Sequence, residues 1–128
     1  MIDAIIRLLK KHDLTPSGDK EIREWYDYVI HAGLARVAYE DNELVGVIDW
    51  IHLPHIPESK DEAREMYAVC QEGEVTMVLT AVAENKGILR KLIKEAWEAN
   101  GDCKYVVWHN KKHDKMMVFN NRRQQCLV

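Results

Sequence analysis

Val75-Thr76-Met77-Val78-Leu79-Thr80-Ala81-Val82-Ala83, followed by residues 86–99 and then Tyr105-Val106-Val107-Trp108, is the stretch whose reading decides the fold. The first run is almost continuously apolar, as expected for a central strand covered on both faces. In residues 86–99, at 100° per residue, Ile88, Leu89, Leu92, Ile93, Ala96, Trp97 and Ala99 occupy one half of the helical wheel. Arg90, Lys91, Lys94, Glu95 and Glu98 occupy the other half. Asn100-Gly101 predicts a left-handed stop for this helix. Strand, helix and strand form a βαβ unit, which implies near-parallel pairing and a right-handed crossover.

Working outward, Ile2, Ile5, Ile6 and Leu9 recur at helical spacing and predict an amphipathic helix over 2–12. Thr15-Pro16-Ser17-Gly18-Asp19 breaks it, and Asp19 is placed to cap a second helix over 20–31 that stops at Ala32-Gly33. Residues 35–39 and 44–51 are β-rich runs joined by Glu40-Asp41-Asn42-Glu43. They predict an antiparallel hairpin, because Asp and Asn tolerate positive φ at low cost. His52-Leu53-Pro54-His55-Ile56-Pro57 is expected to leave the sheet, since proline cannot donate to a ladder. Ser59 caps a short helix to about Gln71, and Gly73 ends that excursion. Met116-Met117-Val118-Phe119 predicts a last strand, and residues 121–128 a fraying tail.

The 128 residues, 47% apolar and 30% charged, bound the chain to one globular domain, 1–128. No apolar run approaches the ~18–20 residues of a membrane span, so no membrane partner is expected. The charged amino end predicts no export. Cys70, Cys103 and Cys126 are odd in number and far apart, which fits a reducing compartment and a cytoplasmic address. Charge is asymmetric: residues 1–84 carry −9 and residues 85–128 carry +6, within a total of −3. The basic third is either a solvated cluster or a surface for a polyanion.

The order of elements and the local wording resemble the GNAT superfamily of N-acetyltransferases. Glu40-Asp41-Asn42-Glu43-Leu44-Val45-Gly46 resembles that family's hairpin. Glu84-Asn85-Lys86-Gly87-Ile88-Leu89, after a long apolar strand, stands where members carry the pyrophosphate loop Gln/Arg-x-x-Gly-x-Gly/Ala. Only Gly87 meets that pattern. The family's first strand and final helix have no counterpart in the pattern, and no Tyr follows Tyr105. The resemblance implies an α/β (α+β) fold, α-α-β-β-(α)-β-α-β-β, with helices flanking a mixed, mostly antiparallel sheet. It also implies acetyl-CoA or another acyl-CoA as co-substrate, with a small-molecule or peptide amine as acceptor. Thr80 and Val82 would hold the pantetheine; Asn85, Lys86, Gly87 and Ile88 the pyrophosphate; and Asn110 would orient cofactor or substrate.

The physics of that loop stands apart from the name. A helix amino end presents unpaired N–H groups, so phosphates bind there. Lys86 and Arg90 add charge, whereas Glu84 and Leu89 reduce field and access. The alternative is that Asn85 caps the helix and Gly87 occupies its first turn. Three side chains are candidate bases for deprotonating an amine. Asp49 interrupts an apolar strand, where burial would raise its pKa, or it is an edge residue or a partner of an Arg. His109 ends a strand, as a base or as a hydrogen-bonded surface imidazole. Glu74 begins the central strand, as a water activator or as a solvated strand start. His52-x-x-His55 and His109-x-x-x-His113 have ligand spacing but supply only pairs, so no metal is expected. The rival to an enzyme is an inactive module of the same fold, contacting nucleic acid or protein through residues 104–123.

Overall fold

The computed structural model describes residues 1–14 and 18–120. The expectations for Thr15, Pro16, Ser17, Arg122, Arg123, Cys126 and the 121–128 tail lie outside these residues. The described elements run α1 (Ile2–Lys11), α2 (Asp19–His31), β1 (Ala35–Glu40), β2 (Glu43–Leu53), α3 (Lys60–Val69), β3 (Val75–Ala83), α4 (Lys86–Ala99), β4 (Tyr105–Asn110) and β5 (Lys115–Asn120). The strands form one five-stranded sheet in sequence order, β1-β2-β3-β4-β5. β1–β2 and β4–β5 are antiparallel, whereas β3–β4 is parallel, as the βαβ reading requires.

The described residues group into two compact units, the first comprising Met1–Asp49 with Thr80–Ala96, the second residues 50–79 with 97–120. In the first unit, α1 contributes Ile5, Ile6, Leu8 and Leu9 to the core, and α2 contributes Ile22, Tyr26 and Val29. Leu44 and Val47 of β2 and Val82 of β3 complete it. The hairpin turn is as expected: Asp41 and Asn42 have φ of 52° and 66°, the two-residue turn that matches strand twist. Gly46 has a packing reason. A Cβ there would stand 2.7 Å from the Leu92 side chain and 3.0 Å from Ile88, so the missing methyl lets α4 lie directly on β2. In the second unit, Trp50, Leu53, Val75 and Val107 are fully buried. The Ser59 hydroxyl accepts from the Glu62 N–H at 3.1 Å, as the cap reading predicted.

Several boundaries differ from the sequence reading for local reasons. Asp19 is the first helical residue of α2, and Gly18 is the N-cap, so no side chain caps that helix. β2 continues through His52 and the buried Leu53 and stops only at Pro54, where the backbone donor is lost. Neither Asn100 nor Gly101 adopts positive φ. The Asn100 side chain instead pairs with His52 Nε2 at 2.8 Å, and that bond holds the carboxamide buried.

Candidate functional site

β3 changes character along its length. Val75, Thr76 and Met77 are buried, but Leu79 is 44% exposed and Ala81 is exposed as well. The expectation of cover on both faces therefore holds for the first half of the strand and not for the second. The ladder explains the change: residues 75–78 pair with 105–108, and the pairing stops there. β3 runs on to Ala83 and β4 to Asn110 without pairing to each other.

At the end of β3, the Glu84 N–H donates to the Val45 carbonyl at 2.9 Å and α4 begins at Lys86. Asn85 Oδ1 accepts from the Ile88 N–H at 3.0 Å, so Asn85 does cap the helix. The cap satisfies one first-turn donor; the Lys86 and Gly87 N–H groups have no acceptor within the helix. Gly87 is exposed, and a Cβ added there would meet only Asn85 Oδ1, at 3.3 Å. Glu84 does not stand as a free negative charge beside this helix end. Its Oε1 pairs with Lys11 Nζ at 3.0 Å and lies 4.0 Å from His12 Nε2. The sequence reading missed this, because a contact spanning 73 residues leaves no local signal. Lys86 and Arg90 are exposed around the same helix end. The amino end of α4 is thus open to solvent, with two cationic side chains exposed beside it.

Asp49 belongs to the same unit and is fully buried. Of the alternatives raised for it, neither edge exposure nor an Arg partner is what the structure shows. The Tyr26 hydroxyl donates to its Oδ2 at 2.7 Å, and Oδ1 is buried without a hydrogen-bond partner among the described residues. Burial pushes the Asp49 carboxyl up to about 6, while the side chains of Tyr26, Trp25 and Thr80 act in the opposite direction. Only Tyr26 makes a well-aligned bond. Burial, with the adjoining Asp49 charge, also pushes the Tyr26 phenol far above its usual range. Tyr26 read from sequence as an ordinary core residue; the one hint was a Tyr where a Phe would have packed equally well.

In the second unit, His109 Nε2 pairs with Asp114 Oδ1 at 2.8 Å, and Nδ1 is buried without a partner among the described residues. A carboxylate can only accept, so Nε2 carries the proton in this pair. Asn110 Oδ1 accepts from the N–H groups of Lys112 and His113 at 3.1 and 3.3 Å, which shapes the β4–β5 turn. Glu74 is half-exposed and paired with Lys104 Nζ at 3.5 Å. Among the described residues, no three His, Cys, Asp or Glu side chains gather into a ligand set. Among the same residues, no helix is long and apolar enough to cross a membrane.

Two helices, a hairpin, an excursion and a βαβ unit, arranged on one mixed sheet, match the fold of solved GNAT-like structures. No protein-family model and no curated protein sequence matches the chain. Solved structures do. The GphF GNAT-like decarboxylase in complex with isobutyryl-CoA superposes with a TM-score of 0.66 at 12% identity, over 84% of this chain and 60% of that one. The loading GNATL domain of CurA from Lyngbya majuscula gives 0.65 at 12% identity, over 85% and 59%. A GNAT family acetyltransferase from Brucella melitensis, in complex with acetyl-CoA, gives 0.54 at 16% identity, over 91% and 79%. The chain thus spans about three fifths of the two GNAT-like domains it matches.

Proposed function

We propose that this chain binds an acyl-CoA and transfers the acyl group to an amine. The observation that carries the reading is the stretch of β3 past its ladder with β4, with Leu79 and Ala81 exposed, running into the amino end of α4. Thr80 and Val82, on the part of β3 past its ladder with β4, are the proposed contacts of the amide-rich pantetheine arm. Asn85, Lys86, Gly87 and Ile88 suit a diphosphate, which takes backbone N–H groups and a positive rim together. Asn110 has a subsidiary orienting role toward cofactor or substrate. Two structures of the same fold bind isobutyryl-CoA and acetyl-CoA, which supports the ligand class. The charge of −9 over residues 1–84 favours a cationic acceptor, a small amine or a lysine-type peptide, in a cytoplasmic setting.

The attacking amine has to lose a proton, and Asp49, His109 and Glu74 are the side chains proposed to receive it. Asp49 is sealed and His109 Nδ1 is covered, while Glu74 meets solvent beside Lys104. A water carries the proton to Glu74, whereas Asp49 and His109 Nδ1 receive it only once their cover opens. Calorimetry with acetyl-CoA tests the reading. Wild-type protein is expected to bind, and Lys86→Glu and Gly87→Trp each to weaken binding about tenfold, near 1.4 kcal/mol. Absence of heat for the wild type at high micromolar ligand would sink the proposal.

A second reading keeps the fold without the chemistry. Trp108 and Phe119 stack at 4.5 Å and 9°, Phe119 is 42% exposed, Lys111 and Lys112 lie in the β4–β5 turn, and Lys115 opens β5. Aromatic rings among lysines suit a single-stranded nucleic acid. Retention on single-stranded DNA should then fall steeply with salt, by roughly one order in affinity per order in salt for each phosphate neutralised. A flat response removes this reading.

A further inference from the structure

The described core holds one fully buried carboxylate, and besides its proposed part in proton transfer it joins α2 to the sheet. Asp49 is on β2, opposite Ala35 of β1, and is fully buried. Every element around it presents a neutral group. α2 brings the Tyr26 hydroxyl, at 2.7 Å from Oδ2, and Trp25; β3 brings Thr80. Arg36 of β1 directs its guanidinium to the carbonyls of Gly33 and Ala35. Among the described residues, no Lys, Arg or His contributes to the ionisation of Asp49. A buried carboxylate with one donor and no cation is the least stable of the states open to it.

We propose that Asp49 is a proton-operated catch that fastens α2 to the sheet in acid and loosens it in alkali. With its proton on, the group is neutral and Tyr26 joins α2 to β2 at little cost. With the proton lost, a negative charge faces an unpartnered Oδ1 position that water cannot reach. Relief requires one wall to lift. β2 is held by strands on either side, so α2 is the wall free to move. Its lifting admits water to Asp49 and also uncovers the side chain of Thr80. The inference rests on no ligand and stands or falls separately from acyl-CoA binding.

Hydrogen exchange on the full chain, with amide rates corrected for the intrinsic effect of pH, reads the catch directly. Between about pH 5 and about pH 8, protection of interior α2 amides is expected to fall at least tenfold, against less than about threefold in β4 and β5. Asp49→Asn, which keeps the shape and cannot ionise, should hold α2 protected at both values. The carboxyl carbon resonance of Asp49 in the wild type should titrate near 6. Constant α2 protection in the wild type, an unchanged pH response in Asp49→Asn, or an ordinary carboxyl titration near 3.8 would each overturn the inference.

Discussion

Gly73→Ala is expected to destabilise the chain by about 3–5 kcal/mol, a large share of a total that for most domains is about 5–15 kcal/mol. Gly73 precedes β3 with φ of 148°, a conformation that side chains rarely adopt. The stronger argument is spatial. A Cβ there would stand 2.2 Å from the Leu53 carbonyl oxygen and 2.5 Å from the Pro54 Cα. Both atoms are backbone, so no side chain can swing aside. Leu53 is fully buried and ends β2, and Gly73 ends the excursion that returns the chain to β3. Relief would have to pull one strand end away. Urea unfolding measures the effect; a midpoint for Gly73→Ala within about 0.3 M of wild type would show that this contact is not as tight as described.

Asp49→Asn is expected to stabilise the protein at neutral and alkaline pH by up to about 3 kcal/mol. The carboxyl has a folded-state value of about 6 against 3.8 in the unfolded chain, and each pH step between them is worth about 1.4 kcal/mol. The sign follows from proton counting. Between those values the folded state holds the proton and the unfolded state does not, so stability falls as pH rises. The contribution is complete below about 3.8 and is gone once the pH has passed about 6. The difference between the Asn variant and wild type isolates this group from other carboxylates that titrate in acid. Denaturant unfolding at several pH values should show the two proteins converging in acid and separating in alkali. Parallel curves, or a wild type the more stable at pH 8, would contradict the buried charge.

Much of the fold was readable because it depends on local and periodic signals. The helical wheel of residues 86–99, the Asp41-Asn42 turn and the Ser59 cap each follow from a few adjacent side chains. The resemblance carried by Leu44-Val45-Gly46 and Gly87 pointed to the correct fold, and Gly46 has its reason in the approach of α4 to β2. Asp49 stood out because a carboxylate interrupts an apolar strand. Its partner did not stand out, since nothing near Tyr26 in the chain marks a tyrosine whose hydroxyl will meet a residue 23 positions away.

What the sequence determined by itself is the order of elements, their approximate limits and which faces are apolar, because backbone preference and side-chain periodicity act over a few residues. Tertiary structure decided where the β3–β4 ladder ends, that Lys11 neutralises Glu84, and that Asp49 is sealed with one donor and no cation. Those outcomes depend on which distant side chains share a small volume, and charge and burial there are properties of the packed molecule.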